Sequence, residues 1–87
     1  MPLDKLQQTL LEIANRAHPA KAIIENENGK LASHPDFNWN DLPAALNNLE
    51  NENLIEEGSI RVSALNEITI TGELKITSIG RSYLKQN

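Results

Sequence analysis

Leu3, Leu6, Leu10, Ile13 and Ala17 recur at alternating spacings of three and four residues. One face of a helix repeats in that way, and Leu11 and Ala14 widen the stripe enough to meet more than one neighbour. Pro19 cannot continue a helix and biases His18 away from one, so the first helix is expected over roughly residues 3–17. Further along, Leu42, Ala45, Leu46 and Leu49 share another helical face. Asn40 is placed to cap it, with Asp41 in its first turn and Pro43 tolerated there, and the helix is expected from about Asp41 to Glu52. Trp39 is expected to pack over its start in the manner of a hydrophobic staple.

The apolar period then changes from helical to alternating. Ile60, Val62 and Ala64 alternate with polar residues, as do Ile68 and Ile70. Opposed residues in an antiparallel pair share a face, so even positions must meet even positions. A three-residue loop at Leu65-Asn66-Glu67 achieves this by opposing Ala64 to Ile68, Val62 to Ile70 and Ile60 to Gly72. Asn66 is the residue suited to a left-handed conformation, and Gly72 marks a bulge or bend. Leu74 and Ile76 return to the core, and Thr77 caps a closing helix from Ser78 to about Lys85 with Ile79, Tyr83 and Leu84 inward.

Residues 20–36 admit two readings. One is a short helix from Ala20 to Glu27, with Pro19 in its first turn and Gly29 past its end. The other is a hairpin pairing AIIE with KLAS around Asn28-Gly29. The helix is preferred, because the overall pattern calls for a second helix beside the third. Helices, a two-stranded ribbon and a closing helix together predict an α+β winged helix-turn-helix, one domain over residues 1–87: a three-helix core, a β-hairpin wing and a short C-terminal helix.

Two segments carry a resemblance. The run from Leu42 through Asn53-Leu54-Ile55, and the later Ile76-Thr77-Ser78-Ile79-Gly80-Arg81 with Tyr83-Leu84, resemble the third-helix and closing-helix signatures of small bacterial and phage winged-helix proteins. Among these proteins the chain resembles the YjcQ-like group, of unknown function. The likeness covers residues 3–17 and 37–87 and leaves 20–36 outside as added chain. The resemblance implies the winged-helix fold and, through it, a transcription-regulating DNA-binding module of a bacterium or phage. Both signatures are structural, so they speak to fold more than to function.

Composition changes this picture in one respect. Twelve Asp/Glu against eight Lys/Arg give a net charge of −4, where nucleic-acid binders ordinarily carry a basic excess. Residues 40–57 hold Asp41, Glu50, Glu52, Glu56 and Glu57 and no Lys or Arg, a local charge of −5. There is no cysteine, which excludes disulfides, thiolate metal sites and thiol catalysis and accords with a cytoplasmic location. No apolar run nears the roughly 18 residues of a membrane span, and Met1-Pro2-Leu3-Asp4 does not read as a signal peptide. Eighty-seven residues make a thin core, which suits a protein partner or a homodimer.

Catalytic and metal chemistry find no support. His18 and His34 each precede a proline and have no partner at ligand spacing, so they read as turn residues. The four glycines are scattered rather than gathered into a phosphate loop, Ser78 and Ser82 lack a nucleophile elbow, and Glu56-Glu57 belongs to a solvated acidic run. No enzyme activity, cofactor, metal or small-molecule substrate is expected.

The contest lies on the third helix. At about 100° per residue, Asn40, Ala44, Asn47 and Asn51 lie opposite Leu42, with Asn48 flanking them. Asparagine can contact adenine bidentately, so Asn40, Asn47, Asn48 and Asn51 are candidate base readers, with Arg61 and Lys75 on the ribbon as candidate phosphate contacts. Lys21 and Lys30 could add charge if their segment lies alongside. The competing expectation is an acidic protein-interaction or dimerisation module that binds no DNA, with Trp39 as a candidate partner anchor. The first expectation requires duplex binding that falls steeply with salt and weakens in Arg61→Ala.

Overall fold

A computed structural model describes residues 3–86. The described residues form an α+β fold, with three α-helices and several small antiparallel sheets. Helix α1 (Lys5–Ala17) starts at Asp4, whose carboxylate accepts the Gln7 amide at 2.8 Å. Its Leu10, Leu11 and Ala14 are fully buried, while Leu3, Leu6, Ile13 and Ala17 pack around them. As the wide stripe requires, α1 touches α2, β1 and α3.

Residues 20–36 form strands, and the preferred helix from Ala20 to Glu27 is absent. Strands β1 (Ala22–Ile23), β2 (Asn26–Glu27), β3 (Lys30–Leu31) and β4 (His34–Asn38) follow one another. The β2–β3 turn is Asn28-Gly29, both at positive φ (54° and 80°), and the Asn26 side chain accepts the Gly29 amide at 2.8 Å. Two successive left-handed residues select a two-residue hairpin turn over a helix. Burial also has period two: Ala22 and Ile24 are inside and Ile23 is outside. The alternative hairpin is right about the turn but not about its first strand: Asn26–Glu27, not AIIE, pairs with Lys30–Leu31, and Ala22 and Ile23 pair with Leu74 and Glu73 of β7 (Glu73–Leu74).

A 3-10 turn (Trp39–Asp41) leads into α2 (Leu42–Asn51). Asn40 lies within that turn and makes no capping bond. Pro43 in the first turn of α2 has no N–H to satisfy, which lowers the need for a cap. Leu42, Ala45, Leu46 and Leu49 are the buried face, as their spacing predicts.

Strands β5 (Ile60–Val62) and β6 (Ile68–Ile70) form the ribbon, with Ile60 opposite Ile70, Arg61 opposite Thr69 and Val62 opposite Ile68. The even-to-even rule holds, but the loop sits one residue earlier than expected. Ser63 closes it by donating its amide to the Glu67 carbonyl, which leaves Ala64-Leu65-Asn66 as the three loop residues. A three-residue hairpin loop places its left-handed residue last. Asn66, at φ 63°, therefore fixes the register, and the expected Ala64–Ile68, Val62–Ile70 and Ile60–Gly72 pairs do not form. Gly72, at φ 88°, bends the chain between the ribbon and β7.

The segment 72–77 lies between two others. On one side it pairs with β1, extended by the Ile24 amide donating to the Gly72 carbonyl. On the other, Ile55 bridges Ile76, Glu56 N–H donates to Lys75 and Thr77 N–H donates to Leu54. Thr77 then caps α3 (Ser78–Gln86), its hydroxyl accepting the Gly80 amide at 3.0 Å and donating to the Asn53 carbonyl at 2.6 Å.

Gly80 explains the closing-helix signature. A Cβ there would collide with the Leu54 carbonyl oxygen and the Ile76 side chain, so α3 can rest on the 54–55 backbone only where a side chain is missing. Turning Gly80 inward sets the rotation of the helix. Tyr83 and Leu84 follow it onto the core, but Ile79 is carried outward and is 55% exposed rather than buried. Gly80→Ala should therefore lower stability by about 3 kcal/mol through overpacking against backbone, read as a reduced midpoint in urea, whereas Ser82→Ala, two residues on and exposed, should leave the midpoint in place.

Candidate functional site

Helix α2 is flanked on both sides. Toward α1, the Asn48 amide donates to Gln7 Oε1 at 3.0 Å. Toward the ribbon, Glu50 Oε2 accepts the Ser59 amide at 3.1 Å and, more closely, the Ser59 hydroxyl. Ser59 is 2% exposed, so this carboxylate pins the buried root of β5 to α2. Thr71 completes the root on the other strand, its hydroxyl donating to the carbonyls of Gly58 and Ser59.

Between these flanks runs an open strip. Asn40 and Asn51 are exposed on it and Asn47 is half-buried. Of the four asparagines singled out as base readers, three share this strip; the fourth, Asn48, is tied to α1. The expected cations do not join them. Ile60 and Ile70 pack onto the core, so Arg61, one residue on, projects from the opposite face of the ribbon. Lys75 pairs with Glu56 at 3.8 Å and shares a shallow cleft with Lys21, Glu57 and Glu73, where Lys21 pairs with Glu73 at 3.3 Å. Lys30 donates to the Asn38 side chain. The surface next to the asparagine strip stays acidic.

Trp39 is half-buried and packs against the core, and it opens a cleft with Asn40, Pro43, Ile68, Thr69 and Ile70. The staple role and the partner-facing role are thus both available to one indole: one edge covers the start of α2 and the cleft lies toward β6.

The feature missed in the sequence is the far end of the ribbon. Val62 is 60% exposed, Leu65 82% and Ile68 36%. Ile60 and Ile70 reach α2, but the ribbon continues past it and carries its apolar face into solvent. The signal was Leu65, an apolar residue in a hairpin loop where polar residues are the rule.

Among the described residues no three His, Cys, Asp or Glu side chains gather as metal ligands, and no helix is long and apolar enough to cross a membrane. His18 is exposed, and His34 Nδ1 lies 2.9 Å from the Ser33 hydroxyl. Comparison with protein-family models, with curated proteins and with solved structures gives no match.

Glu50→Ala should leave two donors of buried Ser59 without an acceptor and lower stability by about 1–3 kcal/mol. Asn51→Ala, on the open strip, should leave the denaturation midpoint unchanged. Urea titration of the two variants beside the parent chain checks the contrast.

Proposed function

We propose that this chain is a winged-helix domain that binds another protein through its ribbon. The winged-helix reading is supported by the order of elements: a first helix, a strand, the apolar helix α2, a ribbon, and a strand that returns between residues 22–24 and 54–56 before a closing helix. The β2–β4 strands stand where such a domain has its second helix. The YjcQ-like resemblance agrees with this reading outside residues 20–36.

One observation carries the functional part. Where a DNA-reading wing would present cations to phosphate, this ribbon presents Val62, Leu65 and Ile68, and its one cation, Arg61, lies on the other face. Exposed apolar side chains that continue one another mark a protein contact. The acidic run 40–57 adds to the case, since it would meet phosphate with a charge of −5.

A second reading, a regulator that binds duplex DNA, is favoured by the strip holding Asn40, Asn47 and Asn51, whose side chains have the chemistry to read adenine. The two readings separate in paired measurements. A photo-crosslinking residue in place of Leu65, expressed in the cells that carry the chain, is expected to give a discrete protein adduct that Val62→Asp abolishes. Random duplex DNA at low salt is expected to show no retardation. Duplex binding that falls steeply with salt, weakens in Arg61→Ala and ignores Leu65→Asp would reverse the assignment.

A further inference from the structure

We propose that Asn28 is a site of spontaneous covalent modification, its side chain closing on the backbone nitrogen of Gly29, and that the Asn26 carboxamide restrains this reaction while the turn is folded. The sequence singles out the position. The chain holds eleven asparagines, and only Asn28 is followed by glycine. A side chain on the following residue shields the nitrogen that must attack, and glycine has none.

The fold leaves the site open. Asn28 and Gly29 are both exposed, and a Cβ at Gly29 would meet nothing within 4 Å. The Asn28 carboxamide has no hydrogen-bond partner among the described residues. Strands β2 and β3 pair over two residues each, so the turn between them opens at far lower cost than the core.

One contact opposes the reaction. The Gly29 amide donates to Asn26 Oδ1 at 2.8 Å. Its nitrogen cannot give up the proton and attack while that bond stands, so conversion waits for the turn to open. Asn66 supplies an internal contrast. It is exposed in the other hairpin and, at φ 63°, shares the left-handed backbone of Asn28. Glu67 follows it, however, and the Glu67 amide donates to Ser63 Oγ at 3.1 Å. Exposure and a left-handed backbone are common to both sites; the unshielded nitrogen belongs to Asn28 alone.

The chemistry needs only water. The deprotonated Gly29 nitrogen attacks Asn28 Cγ, the new N–Cγ bond forms and the Cγ–Nδ2 bond breaks. The side-chain nitrogen leaves as ammonia, taking up the proton that Gly29 lost. Water then opens the cyclic imide at either carbonyl and leaves aspartate or isoaspartate, with nothing oxidised or reduced.

The product reaches beyond the turn. The Gly29 carbonyl accepts the Trp39 amide at 2.8 Å, at the entry to α2. Isoaspartate carries the main chain through Cβ and Cγ, a path longer by one carbon, which a two-residue turn does not accommodate. Either product adds a negative charge to a chain already at −4.

The test incubates the full chain at mildly alkaline pH and follows each asparagine by peptide mass spectrometry, with electron-transfer fragmentation to separate aspartate from isoaspartate. Asn28 is expected to convert ahead of every other asparagine. Asn26→Ala is expected to convert about fivefold faster, the factor that one hydrogen bond of ordinary net strength represents. Asn26→Asp keeps an acceptor in the same place and is expected to convert no faster than the parent. In guanidinium, where the turn is gone, the parent and Asn26→Ala are expected to react alike.

Another asparagine reacting first overturns the site, as does a folded chain that stays intact at Asn28 after the denatured chain has converted. Equal native rates for the parent and Asn26→Ala overturn the restraint, and so does Asn26→Asp reacting as fast as Asn26→Ala. A gap between the parent and Asn26→Ala that persists in guanidinium overturns it too, because the effect then comes from the sequence and not from the folded turn.

Discussion

Two short stretches of backbone, residues 53–55 and 76–80, hold this fold together where they cross. Asn53, at φ 60°, ends α2, and the Leu54 amide returns to the Leu49 carbonyl. The carbonyls of Asn53 and Leu54 then accept from the Thr77 hydroxyl and amide, and Gly80 lets α3 settle on the same backbone. Leu54, Ile55 and Ile76 are buried at that crossing. The end of one helix, the start of another and the return strand are therefore fixed by a single set of hydrogen bonds around one missing side chain. The position of the ribbon relative to α2 depends on it, since the chain leaves for the ribbon just after Ile55 and comes back through Gly72.

Much of this was legible in the order of residues. The two main helices followed from apolar spacing, the Thr77 cap from residue type, and the ribbon from alternation. What could not be read was where competing local signals were close in strength. In residues 20–36, Pro19 and Gly29 bracket a helix-length segment as plausibly as Asn28-Gly29 marks a turn. Tertiary pairing decided it, because β7 needed a partner along Ala22–Ile24 and no local pattern announces that need. The ribbon register failed by one position for a related reason. Asn66 was recognised as left-handed, but its place within the loop follows from hairpin geometry rather than from hydrophobic matching.

The candidate interface was legible only as far as helical periodicity reaches. Angular position set Asn40, Asn47 and Asn51 opposite Leu42 with Asn48 flanking them; Asn40, Asn48 and Asn51 are exposed and Asn47 is half-buried. Periodicity carries no information about neighbours, however. It could not foresee that Gln7 of α1 would engage Asn48, that Glu56 would engage Lys75, or that Arg61 would project from the side of the ribbon away from α2. Exposure of the ribbon tip was hidden for the same reason, since alternation shows which residues share a face and not how far the supporting helix extends beneath them.

The position of Trp39 has a practical consequence. It is the sole indole of the chain, and it sits half-buried in the cleft that borders β6. Its emission colour and its accessibility to quenchers should respond to whatever comes to rest over Ile68, whereas Tyr83, bonded to the Leu3 amide beside α1, belongs to a different part of the surface. The domain thus contains its own optical gauge of occupancy, and it needs no dye.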